Sequence, residues 1–180
     1  RKVVDLLSML KGDRVGLVAF AGTAFLQCPL TVDYDAFFLF LNSLTPDYLP
    51  VGGTDITQAL ETCLSGFNPG EKSQKVVILI TDGENTGNDP REAVSRLKEA
   101  GIKVFTIGVG GEAGVPVPGK GGGLTKDENG NIVVTRLDEG LLRDIAEATG
   151  GIYERSVAGD MDLQAIYEKE IRGKMEAVTV

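Results

Sequence analysis

The chain has no histidine and no tryptophan in 180 residues, and only two cysteines, Cys28 and Cys63. The missing imidazole excludes Ser-His-Asp and Cys-His nucleophiles, histidine-liganded zinc and haem held by an axial histidine. Oxygen ligation and carboxylate chemistry remain accessible. Neither cysteine belongs to a C-x-x-C pair, so thiolate zinc and dithiol redox chemistry are poorly supported, and both thiols are expected to be small buried apolar groups. Positive charge is scarce as well: Lys+Arg number 18 against 26 Asp+Glu, for a net charge of −8 and a pI near 4.6. No long basic run interrupts that acidity, so the surrounding field repels phosphate backbones and anionic lipid, and nucleic acid is a poor partner. Long apolar runs are missing too. The longest, Ala36 to Leu41 and Val76 to Ile80, fall far short of the roughly 20 residues of a membrane span, and no stretch reads as a signal peptide.

What is present suits one ordinary domain. Hydrophobic residues make up 42% of the chain, and a chain of this size buries roughly 70% of its unfolded surface. The hydrophobic period alternates between helical and extended, the pattern of a doubly wound, Rossmann-like α/β fold: a mostly parallel sheet with helices on both faces and an antiparallel hairpin at one edge. Residues 1–10 predict a helix stopped by Gly12, followed by a buried strand over 15–20 and a second strand over 24–30 in a hairpin with it. Asp33 caps a helix over 34–44, and Thr54 is the expected cap of a helix from 55 to 66. The near-continuous Val/Ile/Leu run at 75–81 predicts a central parallel strand. Asp89 and Pro90 open a helix as cap and first residue, ahead of a strand over 102–107. Asp138 caps a further helix ended by Gly150 and Gly151, a short strand covers 152–154, and a last helix starts at Asp160. The irregular stretch between Gly108 and Leu137 contains an Asn129-Gly130 turn that predicts a hairpin.

Glycine patterns at 108–113 and 114–120 invite nucleotide readings and fail on context. Pro116 and Pro118 forbid the helix whose N-terminus would hold a phosphate, and Gly121 stands where a magnesium-binding Ser or Thr would be needed. More informative are two polar clusters at the C-terminal ends of core elements, where open α/β sheets bind ligands: Gly52-Gly53-Thr54-Asp55 and Thr81-Asp82-Gly83-Glu84-Asn85. Asp82 alone could be a turn former and Thr54 alone a helix cap. The functional alternative is that the Thr54 hydroxyl and the Asp82 carboxylate converge on one hard cation. Magnesium suits such a pair, because it takes octahedral oxygen ligands and keeps waters that a partner's carboxylate can replace.

These clusters, with Gly12 to Phe20, Pro29-Leu30-Thr31 and Ile80 to Asn85, resemble von Willebrand factor type A (VWA) domains in order and spacing. Ile107 to Gly110, Pro116 to Pro118, Gly130 to Thr135 and Ala148 to Gly151 resemble the bacterial Bat aerotolerance-operon branch of that family. The similarity covers essentially the whole chain. It implies a metal-ion-dependent adhesion site (MIDAS) at the sheet's C-terminal rim, holding Mg2+ (or Mn2+ or Ca2+), with Thr54 and Asp82 as the second-loop and third-loop ligands. Gly53, Asp55, Gly83 and Glu84 would shape the face that meets the partner. The family's Asp-x-Ser-x-Ser loop is absent, and residue 1 lies in what resembles the helix that follows it. Residues 1–180 are therefore expected to form a single VWA-like domain lacking its N-terminal central strand and three metal ligands, with weak or no metal binding. The apolar edges at 15–20 and 75–81 would then recruit another strand, through self-association or from the tail at 177–180.

The function implied is non-catalytic binding of another protein through one of its acidic side chains. The resemblance further implies a bacterial inner membrane anchor outside these residues and an extracytoplasmic, periplasmic domain. Two alternatives stand beside it. One is a metal-assisted hydrolase or phosphotransfer domain using Asp82, Glu84 and Asp55; the other is a metal-free scaffold in which Thr54 and Asp82 are only caps.

Overall fold

The computed structural model describes residues 2–45, 52–110, 115–116, 123–124, 126, 129–132, 134–135, 137–156, 164 and 166–167. In chain order these form α1 (Lys2–Met9), β1 (Val15–Phe20), β2 (Ala24–Thr31), α2 (Tyr34–Ser43), α3 (Ile56–Gly66), β3 (Lys75–Thr81), α4 (Arg91–Glu99), β4 (Ile102–Gly108), β5 (Val115–Pro116), β6 (Val134–Thr135), α5 (Glu139–Ala148) and β7 (Tyr153–Arg155). The mixed α/β architecture expected from the hydrophobic pattern is present. The expected last helix falls mostly outside the described residues, of which Gln164 and Ile166 are helical, and the 177–180 tail lies outside them altogether.

The strands form separate ladders. β3, β4 and β7 make a parallel sheet in the order β3-β4-β7, β1 and β2 make an antiparallel hairpin, and β5 and β6 a short antiparallel pair. An isolated bridge between Lys126 and Ile132 brackets the Asn129-Gly130 turn, as its sequence requires. β3 and β4 pair without a register break from Lys75 opposite Ile102 to Thr81 opposite Gly108. Successive β3 side chains serve opposite layers, which is why the strand is apolar throughout. Val77 and Leu79 join Ile56, Leu60, Val94, Leu97, Leu142 and Ile145 beneath α3, α4 and α5. Val76, Ile78 and Ile80 pack on the other face with Phe105, Ile107, Ile166 and the α1 residues Leu6, Met9 and Leu10. α1 and α2 also close over the hairpin, where Leu7, Cys28 and Phe37 are buried.

Two buried threonines of this core are hydrogen-bonded. Thr106, fully buried, donates from Oγ1 to Leu142 O at 2.8 Å. Thr149 Oγ1 accepts from Val104 N at 2.8 Å, anchoring the end of α5 to the sheet. Both cysteines are free thiols: Cys28 is buried as expected, and Cys63 is half-buried.

Helix capping agrees with the sequence at Asp33, which accepts from Ala36 N, and at Asp138, which accepts from Leu141 N. Two caps differ. The cap of α4 is Pro90, without a side-chain bond, while Asp89 Oδ1 accepts from Arg91 N just inside the helix. The cap of α3 is Asp55 and not Thr54, its carboxylate accepting from Gln58 N.

β1 and β3 run in the same direction side by side. At one end Ala21, just past β1, accepts from Asp55 N at 2.6 Å, and the loop after β3 is bonded to that same 54–57 segment. At the other end Arg14, just before β1, is ion-paired with Glu71, just before β3. Hydrogen bonding to Arg14 holds the Glu71 carboxyl below its ordinary pKa. A carboxyl whose pKa is lowered on folding contributes stability above its unfolded pKa of about 4.3, and that contribution is lost as pH falls through the folded value. Glu71→Gln is therefore expected to flatten the fall of stability with pH below about 4.3, measured by urea denaturation at a series of pH values; an unchanged slope would show that the pair does not tie these ends in solution.

Candidate functional site

The rim at the C-terminal ends of β1 and β3 is built from two loops joined by hydrogen bonds. Thr54 N donates to Thr86 Oγ1 at 2.9 Å, and Thr86 N donates back to Thr54 O at 2.8 Å. Asn85 Oδ1 accepts from Ile56 N at 3.2 Å, and Thr57 Oγ1 donates to Asn88 O at 2.8 Å. The 52–57 and 82–89 segments thus behave as one surface. Thr86 is the residue that sequence reasoning missed. The Asn-Thr-Gly-Asn-Asp-Pro run at 85–90 announces turns through its local side-chain to backbone bonding, but nothing local names the distant segment that those side chains reach.

Asp55 sits beneath this surface. It is 6% exposed, and both carboxylate oxygens are engaged by Gln58, Oδ1 by the backbone N–H at 3.0 Å and Oδ2 by Nε2 at 2.9 Å. Its observed role is that of a cap and a support beneath the surface on which the sequence places a partner contact. Because Asp55 does the capping, the Thr54 hydroxyl is spared: it makes no hydrogen bond to the described residues.

Asp82 follows β3 directly and is half-buried. Its Oδ1 accepts from Glu84 N at 3.2 Å and its carbonyl from Asp138 N at 3.0 Å, so the carboxylate is held by its own turn while Oδ2 has no described partner. Gly83 makes that turn possible. Its φ is +80°, and a Cβ there would lie 2.7 Å from Asp138 O, so an L side chain is excluded both by conformation and by space. Gly83 is buried, Glu84 is half-buried and Gly53 is exposed. Of the expected contact residues, Thr54, Gly53, Asp82 and Glu84 remain on or near the surface. No hydrogen bond joins Thr54 to Asp82. Among the described residues no three His, Cys, Asp or Glu side chains group as metal ligands, so Asp82, Glu84 and Asp55 do not form the carboxylate cluster that the hydrolytic alternative needs.

The family profile of the von Willebrand factor type A domain matches residues 1–147. The chain belongs to the VWA family. This VWA domain is 37% identical to a conserved hypothetical protein, BatB, from Bacteroides thetaiotaomicron, with a TM-score of 0.89 over 98% of this chain and 86% of that one. It is 35% identical to an aerotolerance-related membrane protein from Bacteroides fragilis, with a TM-score of 0.86 over 92% of this chain and 83% of that one. It is also 26% identical, over 163 residues, to an uncharacterized protein of Borreliella burgdorferi, covering 88% of this chain. The VWA domain spans 46% of that Borreliella protein, less than half its length.

Gly87 provides a direct test of the support under the rim. A Cβ at this position would lie 2.3 Å from Asp55 Cγ, so Gly87→Ala must displace the capping carboxylate. Asp55→Ala is expected to cost about 0.5–2 kcal/mol, the range for losing an N-cap. Gly87→Ala should destabilise as well, and the double variant should fall well short of the sum of the two, because both act through one carboxylate. Additive losses in chemical denaturation would show that Gly87 acts elsewhere.

Proposed function

We propose that this VWA domain is a non-catalytic protein-interaction module whose contact surface is the rim carrying Gly53, Thr54, Asp82 and Glu84. VWA is an adhesion-type fold, and its members generally mediate protein–protein contacts; the finer reading concerns where and through what chemistry this chain does so. The observation that carries it is the division of labour at the rim. Asp55 takes the capping role and leaves the Thr54 hydroxyl without a partner among the described residues, on a surface bonded to the loop that presents Asp82.

The available donors are all oxygen, the chemistry that magnesium, manganese or calcium selects. They are too few to fit a resident ion: a magnesium ion takes six ligands in octahedral geometry, and Thr54 and Asp82 supply two of them. Any metal bridge from this rim to an acidic side chain of a partner therefore needs ligands beyond Thr54 and Asp82, and this pair by itself would hold the ion weakly. The edges of β1 and β3 that lack a ladder among the described residues support pairing with an added strand, through self-association or from another segment. Among the described residues no helix is long and apolar enough to cross a membrane. The likeness to a Bacteroides membrane protein supports attachment to a bacterial inner membrane through segments outside this chain, with the domain on the extracytoplasmic side.

Titration of MgCl2 into residues 1–180 by calorimetry is expected to give a dissociation constant no tighter than about 1 mM, too weak to stabilise the fold appreciably below that concentration; a micromolar constant would contradict the two-ligand count. On an array of peptides graded in Asp and Glu content, retention of the domain in excess Mg2+ should rise with carboxylate content and be lost in Thr54→Ala and Asp82→Asn. Retention indifferent to both substitutions would remove the rim as the contact surface.

A further inference from the structure

The three parallel strands end level at the rim: Thr81 of β3 stands opposite Gly108 of β4, and Gly108 opposite Arg155 of β7. Neighbouring strands lie about 4.8 Å apart, so Arg155 is about 10 Å from Thr81, the residue before Asp82. Val109, just past β4, donates from its backbone N–H to Thr81 O at 2.9 Å and leaves its side chain exposed between them. Beyond Val109 two exposed arginines flank one tyrosine. Tyr153 OH donates to Glu139 Oε1 at 2.7 Å, and burial together with that bond pushes the phenol up to about 12, so it stays a neutral donor. The Arg143 guanidinium lies 5.4 Å from the centroid of the Tyr153 ring, within cation–π reach, and has no carboxylate partner among the described residues. Arg155 meets the same Glu139 oxygen only through Nε, at 3.8 Å, too far for a hydrogen bond.

We infer that Arg143 and Arg155 form a carboxylate-reading subsite at the α5–β7 end of the rim, which takes an acidic side chain of a protein partner without a metal ion. Each guanidinium is oriented, one by the Tyr153 ring and the other by Glu139, while the forked N–H groups that grip a carboxylate side-on are not used by the described residues. Glu139 is the one carboxylate in contact with this group among the described residues. Glu154 points to the opposite face of β7, and Asp144 and Glu147 of α5 make no ion pair with either arginine among the described residues. One negative charge against two leaves this corner positive, which the net charge of −8 conceals. Charges farther than about 8 Å are largely screened at physiological salt, so an approaching side chain responds to the corner and not to the whole domain. The span fixes the kind of partner. In an extended segment rising about 3.3 Å per residue, acidic residues two to four positions apart reach from the Thr54 and Asp82 side to the arginines, with Val109 beneath the residues between them. The place of the first acid rests on the rim proposed as the contact surface; the arginine subsite stands without it.

Immobilised Gly/Ser peptides carrying no Asp, one Asp, or two Asp residues three positions apart provide the test, with retention of the domain measured in EDTA and in excess Mg2+. In EDTA the Asp peptides should retain the domain above the Asp-free peptide. The double variant Arg143→Gln, Arg155→Gln should lower that retention about fivefold, the upper range for an exposed ion pair, with the fold intact by thermal unfolding, whereas Thr54→Ala should leave it unchanged. Charge reversal by Arg143→Glu and Arg155→Glu should transfer the preference to peptides carrying Lys. In Mg2+ the two-Asp peptide should exceed the one-Asp peptide, and the double Gln variant should lose that advantage. Retention indifferent to Mg2+ but still dependent on the arginines would remove the metal from the rim and leave this subsite standing. Retention in EDTA that is equal for Asp and Asp-free peptides, or equal in the wild type and the double Gln variant, would overturn the proposal.

Discussion

Backbone pairing across the middle of the sheet is the constraint on which the rest of this structure depends. β3, β4 and β7 form one paired unit and β1 and β2 another, and among the described residues no ladder joins them. A buried N–H or C=O left without a partner costs about 1–3 kcal/mol, so the edges of β1 and β3 that lack a ladder among the described residues carry the largest demand for further pairing. What holds the halves in place is packing from above and below and ties at the two ends. α1 contributes Leu6, Met9 and Leu10 to the layer over β3 and Leu7 to the layer over the hairpin. Arg14 meets Glu71 at one end, and at the other Ala21, Asp55, Thr54 and Thr86 form a continuous chain of backbone and side-chain bonds.

The rim inherits its geometry from that arrangement. Asp55 is at once the cap of α3 and the donor to Ala21, so the same residue that ends the loop also fastens the hairpin to the helix. This frees Thr54, whose hydroxyl would otherwise be consumed as a cap. Asp82 is placed by β3 and turned by Gly83 against Asp138, which itself caps α5. Both candidate contact residues are therefore positioned by helix caps one or two bonds away.

Much of this could be read before any coordinates. The Val/Ile/Leu runs of β3 and β4 are buried on both faces and could hardly be anything but central parallel strands, and Asp33 and Asp138 announce their helices by local bonding alone. The cap of α3 could not be chosen in the same way. Thr54 and Asp55 are adjacent and comparable as caps, and the choice is made by a tertiary bond from Asp55 N to Ala21 O that no local pattern encodes. The roles of Asn85 and Thr86 were hidden for the same reason: their partners are about 30 residues away in sequence. Which strands pair with which was not legible at all, since composition and periodicity describe the strands themselves and not their neighbours.

Residue-resolved hydrogen–deuterium exchange of the 180-residue chain tests the open edges most directly. In a strand paired on one side, amides alternate between the partner and the free edge. β1 and β3 should therefore show a period of two, with every second amide exchanging fast and its neighbours protected, whereas Thr106 to Gly108 of β4, flanked by β3 and β7, should be protected throughout. Uniform protection along both β1 and β3 would contradict the account, because it would mean that their facing edges are already paired.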